Sequence, residues 1–180
     1  MKFKIFLQVR SDSKRLPNKC FLNIKKSPSI LYLCKRIGNY KKYLTVLTTN
    51  EKSDAYLRYI LKKNKINYYG GSSINVLQRF KNCAAGLSDD TVIIRLTADN
   101  LVIDDTLIKN CIKNYLKQKS QYSYLDSIKN NVPYGISLEL FKVRLIRMTI
   151  PKSKHLEEHV TSHIKFKNTL KIVNDFKNKK

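Results

Sequence analysis

Lys2–Lys19 reads KFKIFLQVRSDSKRLPNK, and its two halves have different characters. In the first half Phe3, Ile5, Leu7 and Val9 alternate with Lys4, Phe6 and Gln8, the two-residue period of a pleated strand with one face fully buried. From Arg10 onward the chain is polar. Arg10, Lys14, Arg15 and Lys19 supply four cations and Ser11 and Ser13 two hydroxyls, with Asp12 as the opposing acid. Pro17 and Asn18 stop the loop from continuing as helix. In an open α/β sheet, ligands bind beyond the carboxyl ends of the strands. A cation-rich loop in that place reads as a polyphosphate grip, with Arg giving planar forks, Lys a mobile charge and backbone N–H groups the remainder. A solvated basic loop is the competing reading. Neither GxxxxGK[ST] nor GxGxxG is present, so such a grip rests on side chains more than on glycine backbone.

Outward from this stretch, strands and helices alternate. Pro28 opens a helix that Gly38 ends, and Tyr43 to Thr49 is a β-branched strand. A helix capped by Asn50 or Ser53 runs to Lys63, a short strand spans Ile66 to Tyr69, and Ser72 or Ser73 starts a helix with Val76, Leu77, Phe80 and Ala84 inward. Thr91 to Leu96, TVIIRL, is an apolar run suited to a central parallel strand covered on both faces. Asp104 or Asp105 caps a helix to Lys119. Tyr122 to Asp126 and Ile136 to Phe141 follow as strands, and His155 to Phe166 as a helix. The pattern predicts an α/β fold: one Rossmann-like domain over residues 1–166, with a mainly parallel sheet and helices on both faces. Residues 167–180 form a Lys-rich tail expected to fray.

The formal charge of +23 invites a nucleic-acid reading. Against it, the excess is mostly Lys and is spread along the chain. Asn, Ile and Tyr, which share AT-rich codons with Lys, are abundant too, and no nucleic-acid recognition motif is present. No specific nucleic-acid partner is therefore expected. Cys20, Cys34, Cys83 and Cys111 form no CxxC pair, which predicts reduced thiols and a cytoplasmic protein. No stretch has the length of a membrane span or a signal peptide, so no membrane association is expected.

Acids are scarce, 13 against 36 cations, yet Asp99 follows the strand predicted to be central, beside Thr97 and Asn100. It reads either as a Mg²⁺ ligand or as an ordinary turn-former. If the sheet is as predicted, this carboxylate and the basic loop face one crevice. Coordinates that put them on different surfaces would overturn that reading.

With these elements in place, the chain resembles the cytidylyltransferase family, in the branch of spore-coat polysaccharide protein F, related to the CMP-KDO and CMP-acylneuraminate synthetases. QVRSDSKRLPNK is similar to "QARxxSxRLPxK". VLTTNEKSD, GGSSINVLQRF and IIRLTADNLVID follow in the family's order, as do VPYGISLELF and EEHVTSHI, and the likeness spans about residues 3–166. The resemblance implies a nucleotide-diphospho-sugar transferase fold, CTP as co-substrate, Mg²⁺ as cofactor and a small anionic acceptor such as an acidic sugar. It also implies release of pyrophosphate and a homodimer. Carried onto matching positions, it implies that Arg10, Ser13, Arg15 and Lys19 bind the triphosphate, with Arg10, Lys19 and Asp99 catalytic and Asp99 on the metal. Gln8, Val9, Thr48 and Thr49 would lie near the base. Arg79 and Arg95 are candidates for phosphate binding or structural pairing, and Tyr134, Glu139, Glu158 and His159 for the acceptor side.

Two departures stand out: Asp12 in the phosphate loop and Leu101 where proline is usual. The family's later segment with a second metal-binding carboxylate has only a poor match at Asp175, leaving Glu158 or Glu139 as substitutes. The alternative expectation is therefore a shortened relative that binds nucleotide or a partner without turnover. His155, His159 and His163 recur every four residues and would share one helix face, either packed or solvated or facing a ligand.

Overall fold

The computed structural model describes residues 2–170 apart from 14, 131, 134, 135, 152, 163 and 165–167. In chain order the elements are β1 (Phe3–Gln8), β2 (Asn23–Ile24), β3 (Ser27–Pro28), α1 (Ser29–Arg36), β4 (Leu44–Thr49), α2 (Ala55–Lys63), β5 (Tyr68–Gly71) and α3 (Val76–Cys83). Then come β6 (Val92–Thr97), α4 (Asp105–Gln118), β7 (Tyr122–Tyr124), β8 (Glu139–Lys142), α5 (Val143–Arg147), α6 (Lys154–Glu158) and β9 (Asn168–Thr169).

Seven strands form one sheet in the order β5-β4-β1-β6-β8-β7-β9, and β2 and β3 make a separate small hairpin. β1 lies between two parallel partners, with Ile5 opposite Leu44 of β4 and Phe3 opposite Val92 of β6. β5 extends the sheet in parallel beyond β4, whereas β8 enters antiparallel to β6 and β7 antiparallel to β8. The chain thus builds outward from β1 in one direction and then returns to its other side. That reversal opens a crevice beyond the carboxyl ends of β1 and β6, the place where open α/β sheets take their ligands.

The apolar patterns follow from burial on both faces. Ile5, Leu7, Ile94 and Leu96 pack toward α1, α2 and α4 through Ile30, Leu33, Leu57, Leu61, Leu107 and Ile108. Phe6 and Ile93 pack toward α3 and α5 through Leu77, Phe80 and Ile146. Phe6 is 1% exposed, so β1 buries both faces and not one only.

Several local expectations are revised. Neither Asn50 nor Ser53 caps α2. Asp54 precedes it, and its side chain makes no cap hydrogen bond. Asn75, not Ser72 or Ser73, caps α3 by accepting from Gln78 N at 2.7 Å. Asp104 caps α4 as expected, accepting from Leu107 N at 2.9 Å. The helix expected from His155 to Phe166 is only Lys154–Glu158. Val160 is buried against the sheet and Thr161 bonds to Glu139, and these anchors turn the chain out of the helix. All four cysteines are free. Burial pushes the Cys34 and Cys111 thiols up to about 12 and those of Cys20 and Cys83 to about 11, so none is a ready nucleophile. Among the described residues no helix is long and apolar enough to cross a membrane.

Leu7 is 0% exposed at the centre of the sheet. Leu7→Ala is expected to lower stability by roughly 2–5 kcal/mol. The check is a lowered urea midpoint with an unchanged denaturant slope.

Candidate active site

A cleft of about 220 Å³ opens at the carboxyl ends of β1 and β6. Gln8 and Val9 come from the end of β1, and Arg10, Ser13, Arg15 and Lys19 from the loop that follows. Thr97, Ala98 and Asp99 close it from β6, Val76 and Arg79 from α3, and Glu158 from α6. Lys19 Nζ stands 3.5 Å from Asp99 Oδ2, with the two side chains 33% and 57% exposed. The basic loop and the acid therefore face one cleft. Their ion pair is solvent-screened and contributes little to stability.

The loop keeps its shape through Asp54, which is 0% exposed. Oδ1 accepts from Ser11 N at 2.7 Å and from Ser11 Oγ at 2.5 Å. Oδ2 accepts from Thr48 Oγ1 at 2.7 Å, Thr49 N at 2.9 Å and Thr49 Oγ1 at 2.6 Å. The Ser11 carbonyl in turn accepts from Ser13 N and Asn18 N, at 3.0 and 2.9 Å. One carboxylate thus ties the loop after β1 to the end of β4. Burial raises the Asp54 pKa, but the donors from Ser11, Thr49 and Thr48 outweigh it, and the carboxyl lies below its ordinary value.

Asp99 behaves similarly. Burial raises its pKa, but the Thr97 hydroxyl and the Lys19 cation outweigh it and hold the carboxyl below its ordinary value, so it is ionised at neutral pH. Arg79 is 1% exposed, and its Nε and Nη1 have no hydrogen-bond partner among the described residues. Burial lowers its pKa, the nearby Asp54 charge raises it and Arg10 lowers it again. Arginine nevertheless stays charged in proteins, so the cleft wall holds a buried cation with unpartnered donors. Gly71 makes room for its stem, since a Cβ there would stand 3.0 Å from Arg79 Cγ.

A profile of the cytidylyltransferase family matches residues 5–175. The chain belongs to the cytidylyltransferase family. It is 30% identical over 169 residues to the spore coat polysaccharide biosynthesis protein SpsF of Bacillus subtilis, covering 88% of this chain and 68% of that one. A solved cytidylyltransferase from Leptospira borgpetersenii is 25% identical and superposes with a TM-score of 0.84 over 95% of this chain and 76% of its own. CMP:2-keto-3-deoxy-manno-octonic acid synthetase, solved with CTP, is 14% identical. It shares the fold with a TM-score of 0.69 over 96% of this chain and 90% of its own.

Of the positions that the family resemblance singled out, Gln8, Val9, Arg10, Ser13, Arg15, Lys19, Arg79, Asp99 and Glu158 line the cleft. Thr48 and Thr49 do not, because they are buried and their hydroxyls serve Asp54. Ser11, read with Ser13 as a phosphate-loop hydroxyl, is likewise turned inward to Asp54. Glu139 does not line the cleft either. It pairs with Arg95 Nη1 at 2.9 Å and accepts from Thr161 Oγ1 at 3.0 Å, so it is not placed to hold a metal in the cleft. His159 is exposed outside the cleft. Tyr134, His163 and the His155 side chain lie outside the described residues, and with them the three-histidine face. Asp54 is the residue that sequence reasoning passed over. Its signal was the last position of VLTTNEKSD, the block matching the family's "VATTxxxxD".

Asp54→Asn puts an amide where five donors converge. It is expected to cost at least about 2 kcal/mol at pH 7, since several donors lose their acceptor. The Asp54 pKa is lowered from 3.8 on folding, so its contribution is full above about pH 4 and is lost as pH falls through the folded-state value. Urea titrations at pH 7, 5 and 3 should show the gap between wild type and variant narrowing only at the lowest pH.

Proposed function

We propose that this chain is a CTP-dependent nucleotidyltransferase. It joins CMP to an acidic sugar or similar anionic acceptor, releases pyrophosphate and serves surface polysaccharide assembly. The observation that carries the reading is the buried Arg79, whose Nε and Nη1 have no hydrogen-bond partner among the described residues and which lines the same cleft as Arg10, Arg15 and Lys19. A buried charge needs a counter-charge and hydrogen-bond partners. An anionic ligand supplies both. The described lining holds four cations, Arg10, Arg15, Lys19 and Arg79, against two carboxylates, Asp99 and Glu158. That surplus suits a nucleoside triphosphate, which stays anionic even after taking up one divalent cation. The likeness to SpsF supports the polysaccharide part of the reading, and the likeness to a synthetase solved with CTP supports the choice of nucleotide.

In this reading an acceptor oxygen attacks the α-phosphorus opposite the β-phosphate. One P–O bond forms as the bond to pyrophosphate breaks. Arg10, Arg15, Lys19 and Arg79 neutralise the charge gathering on the leaving pyrophosphate. Asp99 fits Mg²⁺: it is an ionised, half-exposed carboxylate at the cleft. Among the described residues no group of three His, Cys, Asp or Glu could cage a metal. Such a donor set matches an ion that takes one or two carboxylates and completes its shell with phosphate oxygens and water. When bound, Mg²⁺ neutralises phosphate charge and helps fix the reacting geometry. Thr97 holds one Asp99 oxygen, which orients the carboxylate toward the cleft. Glu158, exposed on α6, faces the acceptor side. A cytoplasmic location, where four free thiols persist, and a homodimer belong to the same proposal.

Thermal shift with CTP, UTP, ATP and GTP, with and without Mg²⁺, tests it. CTP with Mg²⁺ is expected to raise the melting temperature most, because ligand bound to the native state alone stabilises it. No shift with any nucleotide would refute the reading, and a shift without pyrophosphate release would mean binding without turnover. Lys19→Ala and Asp99→Ala should each lower pyrophosphate release by about 10²–10³-fold with the fold retained. Arg79→Met should keep or raise the stability of the free protein, because a buried cation is removed. It should weaken CTP binding about tenfold or more, as read by calorimetry.

A further inference from the structure

A second line of polar groups leads from the cleft floor into the interior. Arg95 of β6 donates from Nη1 to Glu139 Oε2 of β8 at 2.9 Å and from Nη2 to Gln8 Oε1 of β1 at 3.2 Å. Thr161 Oγ1 stands 3.0 Å from both Glu139 oxygens. Burial, with the Glu139 charge beside it, pushes the Tyr122 phenol well up. The Arg95 guanidinium lies over the Phe80 ring, 6.0 Å from its centroid. Of this line only Gln8 reaches the cleft.

A guanidinium can only donate. The Gln8 atom that meets Arg95 is therefore the carbonyl oxygen, and the NH₂ group is left for the cleft. The neighbouring floor residues Val9 and Ala98 have no polar side-chain atom, and the Thr97 hydroxyl is committed to Asp99. Gln8 thus offers the floor's neutral hydrogen-bond donor. Holding it needs a planar fork that spans Glu139 and Gln8 at once, which a lysine cannot supply.

We infer that Arg95 is a positioning residue, fixed by Glu139 and Thr161, that holds the Gln8 amide as a donor to an oxygen of the bound nucleotide. This rests on the nucleotide-binding reading above. The oxygen can belong to the base or to a phosphate, so two probes are needed.

The experiment is calorimetric titration of the full chain with CTP and with inorganic tripolyphosphate, both with Mg²⁺, for wild type, Gln8→Glu, Gln8→Met, Arg95→Lys and the double variant Gln8→Met/Arg95→Lys. Gln8→Glu keeps a bond to Arg95 but removes the donor. Its melting temperature should hold while its CTP Kd rises about tenfold or more. Arg95→Lys should weaken CTP several-fold in the wild-type background and add nothing once Gln8 is Met, since no amide then remains to be oriented. If tripolyphosphate affinity is unmoved by the Gln8 changes, the partner is a base oxygen. If it falls in parallel, the partner is a phosphate oxygen. Both results support the inference. Wild-type CTP affinity in both single Gln8 variants, or an Arg95→Lys effect undiminished in the Gln8→Met background, would overturn it. A wild-type chain that binds neither probe would strike the nucleotide-binding reading itself, and this inference with it.

Discussion

The cleft depends on one buried carboxylate. Asp54 sits at the turn into α2, yet it bonds to Ser11 in the loop after β1 and to Thr48 and Thr49 at the end of β4. Removing a carboxylate from water costs several kcal/mol, and here hydrogen-bond donors compensate. Its function follows from what it connects. A loop with cations at Arg10, Arg15 and Lys19 repels itself and gains nothing from closing. Ser11 gives that loop an attachment of opposite charge that is beyond the reach of solvent. With Ser11 held, its carbonyl gathers Ser13 N and Asn18 N, and the cationic side chains are presented from a closed loop.

The sheet was legible because its signals are local. Alternation in FKIFLQ and the near-continuous apolar run in VIIRLT report burial directly, and β1 and β6 are the strands that flank the crevice. Element boundaries were less legible where tertiary contacts decide them. His155 to Phe166 has the period of a helix, but Val160 and Thr161 are claimed by the sheet, and the helix stops at Glu158. The five residues of α5 sit directly after β8 and are too few to show a period.

The site divides along the same line. Arg10, Ser13, Arg15 and Lys19 lie on one loop, and Asp99 is placed by strand order, so position in the chain was enough to bring them together. What sequence could not show is which polar side chains turn away from the crevice. Thr48, Thr49 and Glu139 carry the chemistry expected of ligands, but each is already engaged, the threonines by Asp54 and Glu139 by Arg95 and Thr161. A one-dimensional pattern records that a residue is polar and not whether its hydrogen bonds are already made.

Near the crevice, the buried acids and the cation in the wall differ in how far their polar atoms are satisfied. Asp54 and Glu139 are acids with their oxygens occupied, and both lie behind the wall. Arg79, in the wall, keeps two nitrogens without partners among the described residues. Apolar side chains of similar size would be cheaper to bury than an unpartnered guanidinium. The fold therefore carries this charge at a cost to its own stability, offset only in part by the Asp54 charge. In the proposed reading, an anion in the cleft would offset that cost, and donors already held in place would lose little freedom on binding it. In the proposed reading, Asp54 closes the basic loop, Arg79 keeps unpartnered nitrogens, and both border the space a negatively charged ligand would take.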